Sequence, residues 1–311
     1  MLYVYPDYYK EFKCIAGACR HSCCIGWEID IDPDTAKFYR TVDGDFGEKL
    51  KRCISEEEPP HFILTEGERC PFLNEQTLCD VILTLGEQHI CEICTEHPRF
   101  RCELPGRVEV GIGLCCEAAA ELILGKKTPV KLEISGEYEC EDELVLLRDD
   151  VISMLQDRNL SIPCRVDKML DFCGIKLPHK TIDEWADEFL ALERLDESWT
   201  EVLEKLKNNS EKIDCSAFSE YMADRQTEYE QLLVYLIYRH FAKAYDREDA
   251  AVRAAFAALG YKIVFSIGAM MWQEKGKFDF SDQTEIARLF SSEIEYSEDN
   301  LEAVFDLLTQ Y

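Results

Sequence analysis

The segment CIAGACRHSCC, residues 14–24, places four cysteines in eleven residues, the last two adjacent. A thiolate is a soft donor suited to zinc or to an iron–sulfur cluster. A four-ligand site is assembled from short local clips joined by distant partners. The chain offers four clips: Cys14-x4-Cys19-x3-Cys23-Cys24; CPFLNEQTLC, from Cys70 to Cys79; CEIC, with Cys91 and Cys94, followed by HPRF; and the adjacent Cys115 and Cys116. Neighbouring side chains of an extended segment point to opposite faces, so Cys23 and Cys24 differ in role, lie in a turn, or bridge two atoms. The density of 14–24 argues for ligands over packing. Cys140, Cys164, Cys173 and Cys215 stand apart and read as small buried hydrophobes, as do Cys53 and Cys102. Two familiar spacings are absent. The radical-enzyme clip Cys-x3-Cys-x2-Cys, begun by Cys19 and Cys23, lacks its third cysteine because Gly26 stands there. No second CxxC or paired histidine completes a zinc finger around CEIC.

The elements that must position these thiols change character along the chain. Twelve of the sixteen cysteines precede residue 117. Residues 1–125 read as a loop-rich, cysteine-rich metal-binding module with short β-like runs, WEIDID (27–32) and RVEVGIGL (107–114). DPDTAKFYR reads as a helix start with Pro33 in its first turn, and GLCCEAAAELILGKK as a short helix closed by Gly125. Residues 126–311 read as an α-helical domain. EDELVLLRDDVISMLQDR carries helical spacing, Thr181 and Glu184 fit a capping box, and residues 217–246 and 250–272 read as long helices. The expected fold class is mainly α: a small loop-rich cysteine module packed on a helical body.

Composition bounds the function. The chain has 311 residues, is 47% apolar and carries a net charge of −28. It is globular, and too acidic for a phosphate backbone, so no nucleic acid is expected; the charge suits a lysine-bearing partner. MLYVYPDYYKEFK has no basic n-region and no apolar core, so no signal peptide is expected. Arg253 and Lys262 interrupt the richest apolar stretch, so no membrane span is expected either. A cytoplasmic location follows as an expectation. In that reducing setting, sixteen cysteines favour metal or cluster chemistry over disulfides.

FKCIAGACRHSCCIGWEIDID, CPFLNEQTLC, LGEQHICEICTEHPRF and CCEAAAELIL together resemble the flagellin lysine-N-methylases, within a wider group of CxxxCC zinc- or iron-chelating domains. The resemblance covers roughly residues 10–125. It implies methyl transfer from S-adenosylmethionine to lysines of flagellin by a protein carrying a 4Fe-4S cluster. It puts the family's cysteines on Cys14, Cys19, Cys23, Cys24, Cys70, Cys79, Cys94 and Cys115; Cys91 matches only some members. One cubane needs four, and the assignment centres on Cys19, Cys23, Cys70, Cys79 and Cys94, with Cys24 beside them. The family's Ser-Cys-Pro-Glu-Ala is here Leu114-Cys115-Cys116-Glu117-Ala118, so Cys116 is not a required ligand.

Lysine methylation needs a neutral amine, in line with a sulfonium methyl and its leaving sulfur; the rest is positioning. VEVGIG (108–113) is a partial glycine loop without the βαβ context of a nucleotide site, so no conventional donor pocket is legible. Trp27 is a candidate to flank the cluster or stack on adenine, with core packing as the other reading. Arg99 is a candidate to fork a donor carboxylate, with a supporting ion pair as the other. Asp30 and Asp32 are candidates to orient an amine, with solvated strand positions as the favoured reading, and His21 and His97 are candidate ligands, with exposed loop positions as the favoured reading. Tyr221, Tyr229, Tyr235, Tyr238, Tyr245 and Trp272 read as helix core. The competing function is a zinc or iron–sulfur chelating module, redox or binding, without methyl transfer.

Overall fold

The structure, a computed structural model, describes residues 2–136 and 142–309. It is mainly helical, with one four-stranded sheet. Contacts divide the chain into two units, Lys13–Phe100 and the remainder.

In the larger unit, strands β1 (Leu2–Pro6), β2 (Arg99–Leu104), β3 (Arg107–Ile112) and β4 (Leu132–Ile134) are ordered β2-β3-β1-β4, and the unit boundary falls inside β2. β1 runs parallel to β3, with Val4 opposite Glu109, and antiparallel to β4, with Val4 opposite Ile134. Every residue of β3 is buried, as befits a central strand covered on both faces. The helix Gln226–His240 lies at the centre of the unit, and every residue from Glu228 to His240 is buried. A helix buried all round must compensate its polar side chains. Glu230 pairs with Arg165 at 2.7 Å and with Arg158 at 2.8 Å. Gln231 donates to the carbonyls of Lys126 and Thr128, both at 3.1 Å. The Tyr238 hydroxyl lies 3.0 Å from the carbonyls of Val4 and Val110, reaching both β1 and β3. The helix Arg247–Lys275 is long and apolar enough to cross a membrane by length and composition, and 78% of its most apolar window is buried in the fold.

Several local expectations hold. Asp32 caps the helix Pro33–Tyr39 through Thr35 N, with Pro33 at its start. The Thr181–Glu184 capping box is formed. Others need correction. The stretch 217–246 is not one helix: Cys215–Tyr221 ends at Met222 and Gln226–His240 begins afresh. The break lets Tyr221 and Arg225 both donate to the carbonyl of Phe278, at 3.0 and 2.6 Å. WEIDID keeps its alternation, with Ile29 and Ile31 buried, but forms only an isolated bridge from Asp30 to His61. Gly125 is the last helical residue, and Lys126 caps the helix in its place. Tyr229, Tyr235 and Tyr238 are core, whereas Tyr221 is 43% and Tyr245 93% exposed. Cys164 and Cys215 are exposed and Cys173 is half-buried. Cys164 misses the buried stripe Ile162, Arg165, Val166, Met169 and Leu170 of its helix. Cys140 lies outside the described residues.

Candidate metal centre

Three segments of the unit Lys13–Phe100 deliver thiols to one neighbourhood. The first two are clasped by backbone bonds. Cys70 N–H donates to the Cys24 carbonyl at 2.8 Å, and Gly26 N–H to that of Glu68 at 3.0 Å. Gly26 sits at φ +91°, a region that only glycine enters freely. From Cys70 the chain folds back so that Leu73 bridges Cys79. Asn74 holds this return: its side-chain oxygen accepts from Gln76 N and Leu78 N, and its amide donates to Asp80, all at 3.0 Å. Lys49 closes on the other oxygen of Asp80 at 2.9 Å. Cys79 caps the helix Asp80–Leu85.

The third segment is the helix Glu92–Glu96, whose cap is Cys91 and whose middle residue is Cys94. Three residues apart on a helix, the two thiols share a face. Asp32 steers this helix, because its carboxylate accepts Glu92 N at 2.9 Å as well as Thr35 N at 2.9 Å. The Tyr39 hydroxyl donates to the His89 carbonyl at 2.8 Å and touches Cys91 Sγ at 3.9 Å. Cys70 and Cys91 belong to the buried core of the unit, with Cys24, Cys53, Cys79 and Cys94 packed against it.

Cys24, Cys70, Cys79, Cys91 and Cys94 feel one another's charge. A hydrogen bond from Cys23, aided by Ser22 and Arg69 and opposed by burial, lowers Cys24 to about 7. Burial, then the neighbouring Cys24, Cys79 and Cys91, pushes Cys70 up to about 12. Burial also raises Cys79, with Cys24 adding to it. In the Cys91–Cys94 pair, a hydrogen bond from Cys94 favours the Cys91 thiolate, and Cys94 keeps its proton. Thiols that oppose one another's ionisation are what a cation relieves when it displaces their protons. The donor chemistry therefore fits a thiolate-bound metal group.

Among the described residues, the one set of three ligand atoms within 4.8 Å of one another is Glu28, Asp30 and His61, not a cysteine set. A zinc tetrahedron with Zn–S of about 2.3 Å brings sulfurs to within about 4 Å.

Of the residues singled out in the sequence, Cys24, Cys70, Cys79 and Cys94 meet here. Cys91 joins them; its CxxC spacing with Cys94 was the available signal. Cys23 is exposed beside Cys24. Cys19 is half-buried, its thiol donating to the His21 carbonyl at 3.1 Å. Cys14 is exposed and accepts Ala16 N at 3.4 Å. Trp27 is half-buried against the core that holds Cys70 and Cys91, its indole N–H on the Cys23 carbonyl at 2.7 Å. Arg99 donates to the Thr95 carbonyl at 3.0 Å, at the end of the Cys94 helix. His97 is packed rather than exposed, and burial lowers it to about 4.

Cys115 lies in the larger unit, in a buried polar network that sequence reasoning missed. Leu114 N donates to the Tyr235 hydroxyl at 3.1 Å, as does Arg239 at 2.6 Å. His240 Nε2 lies 2.7 Å from Glu295, and the Arg239 guanidinium stands 4.6 Å over the Tyr296 ring. Burial opposes ionisation of Glu295, but Arg239 and His240 outweigh it and hold the carboxyl below its usual value. Burial pushes Cys115 up to about 12. Glu295 ends a π-helical turn, Ser291–Glu295, a geometry frequent at functional positions.

A sequence profile described as the FliB lysine N-methylase C-terminal domain matches residues 175–311. The chain is similar to the lysine-N-methylases of Salmonella typhimurium and Salmonella choleraesuis, each 26% identical over 218 residues, which is 65% of this chain and 53% of theirs. It is also similar to the flagellar biosynthetic protein FliU of Salmonella muenchen, 31% identical over 127 residues, 38% of this chain and 75% of that protein. The chain thus spans about half the length of the two lysine-N-methylases it matches. No solved structure matches it.

Proposed function

The chain belongs to the flagellin lysine N-methylase family, and we propose that it is a cytoplasmic methyltransferase that carries the methyl group of S-adenosylmethionine to lysine side chains of flagellin. The observation that carries the metal part of this reading is the meeting of five thiols from three segments. Cys24, Cys70, Cys79, Cys91 and Cys94 supply the four ligands of a 4Fe-4S cluster and one spare. When bound, such a cluster ties three chain segments together and offers an iron to the donor's amino and carboxylate groups.

The protein's own part is to bind and align. In the transfer, a bond forms from the lysine nitrogen to the methyl carbon as the methyl–sulfur bond breaks, and the amine must first have lost its proton. Trp27 presents its ring to the donor's adenine, and Arg99 its guanidinium to the donor's carboxylate. The capped helix Glu92–Glu96 keeps Cys91 and Cys94 fixed while substrates exchange.

Anaerobic purification followed by iron, sulfide and zinc analysis tests the metal reading: about four irons and four sulfides per chain are expected. Incubation with S-adenosylmethionine and flagellin, read by mass spectrometry, tests the transfer, with gains of single methyl groups on lysine expected. A fully loaded protein that transfers nothing is a metal-binding module and no methyltransferase.

A further inference from the structure

Residues 191–196 connect the helices Ile182–Leu190 and Glu197–Asn209 along the surface, yet buried side chains tie them down at two points. Asn300, itself buried, holds Glu193. Its side-chain oxygen accepts Glu193 N–H at 2.9 Å, and its amide donates to the carbonyls of Glu193 at 2.9 Å and Glu293 at 2.7 Å. Glu293, fully buried in the turn Ser291–Glu295, holds the far end. Its Oε2 accepts Leu195 N–H at 3.1 Å, and Asp196 N–H also donates to the carboxyl. The other oxygen, Oε1, is buried and has no hydrogen-bond partner among the described residues. The two ties differ in kind, because an amide stays neutral and a carboxyl titrates.

The charged groups around Glu293 leave its carboxyl without a counter-ion. Arg288, from the preceding helix, favours the ionised form, but its guanidinium is bonded to Glu285 at 2.7 Å and to Ser292 at 3.3 Å. Asp196, whose carboxylate caps the next helix through Ser198 N, opposes ionisation. Glu193 accepts from the Ser297 hydroxyl at 3.3 Å, and Glu295, two residues on, is held by Arg239 and His240. Burial decides the balance: it outweighs the two N–H groups and Arg288, and raises Glu293 to about 7. We propose that Glu293 is a pH-dependent latch on residues 191–196. With its proton on, Glu293 stays buried and keeps Leu195 and Asp196 against the turn. Once ionised, it places a charge with one bare oxygen where water does not reach, which is costly; release of Leu195 hydrates it. The hold is therefore full below the ordinary carboxyl value of about 4.5 and is lost as pH rises through about 7. Glu193 remains on Asn300 and is the pivot about which the connection opens.

The test follows hydrogen exchange of individual amides in the full chain, as purified, across acid to mildly alkaline pH, with each rate corrected for base catalysis. Opening at Leu195 and Asp196 should increase by up to about tenfold per pH unit between about pH 4.5 and 7 and then level off, while Glu193 stays flat. In Glu293→Gln, which keeps a side-chain oxygen for Leu195 but carries no charge, Leu195 and Asp196 should be flat as well. Asp196→Asn keeps a helix cap and removes the opposing charge, so it should move the midpoint to lower pH. A parent whose Leu195 opening ignores pH, the same dependence in Glu293→Gln, Glu193 and Leu195 opening in step, or a midpoint that Asp196→Asn leaves in place would each overturn the latch. Should Glu293→Gln not fold, the contrast between Leu195 and Glu193 in the parent and the midpoint in Asp196→Asn decide the matter.

Discussion

Cys70 donates its backbone N–H to the carbonyl of Cys24 across 2.8 Å, joining two segments 46 residues apart in sequence by the very residues whose thiols approach each other. Main-chain bonding thus holds the two segments, and with them the two cysteines, together. That arrangement leads to the first prediction. Cys70→Ser, Cys79→Ser and Cys94→Ser should each lower bound iron by at least half, measured by elemental analysis after anaerobic purification. Cys164→Ser, on the exposed face of its helix, should leave it unchanged. Cys91→Ser should group with the first set.

Removal of the proposed metal group should loosen only part of the molecule. Three segments of Lys13–Phe100 converge on the thiols, and the larger unit has its own buried helices. After chelation or oxidative loss, hydrogen exchange should speed up at Gly26, Cys70 and Thr95, while amides of Leu232–Ile237 stay protected. Uniform loss of protection would refute this.

Asp32 joins two helices through one carboxylate, so Asp32→Ala should destabilise more than an ordinary cap loss, by about 2 kcal/mol in all. Its burial opposes ionisation, but the N–H groups of Glu92 and Thr35 prevail and hold its pKa below normal. A depressed acid contributes stability above its unfolded value, lost as pH falls through the folded one. The gap between parent and variant should therefore close in acid, as followed by chemical denaturation.

His240 supplies a second pH dependence of the opposite chemical kind. Burial, which outweighs Glu295, lowers it to about 4. The folded state resists protonation between about pH 6.5 and 4 while the unfolded chain takes up a proton, so stability falls as pH drops through that window. The loss is on the order of 3 kcal/mol. His240→Asn should flatten the curve of stability against pH there.

At Gly113 the constraint is steric. A Cβ would stand 2.0 Å from the Tyr296 hydroxyl. Gly113→Ala should therefore lower stability by about 1–3 kcal/mol, and adding Tyr296→Phe should recover part of it. Thermal melts of the two single variants and the double variant form the cycle that checks this.

What could be read before the fold was known follows from range. Caps and clips are local, so Pro33, the Thr181–Glu184 box and the Cys91–Cys94 pair announced themselves. The break at Met222 did not, because the carbonyl that Tyr221 and Arg225 share there, that of Phe278, lies far along the chain. Ile29 and Ile31 alternated as a strand should, yet no neighbouring strand extends the pairing beyond one bridge. Of the centre, four cysteines named from the sequence meet in space. The network of Tyr235, Arg239, His240 and Glu295 left no trace, since its members are ordinary helix residues until folding brings 55 positions together.

The mirror-handed turn at Gly26 bears on which enzymes this chain could become. The third cysteine of the radical clip would have to stand there, where space is open but the backbone is inverted for any L-residue. That inversion works against the substitution by about 1–2 kcal/mol before any new ligand could form. A single codon change at that position would therefore produce a strained loop before it produced a radical enzyme.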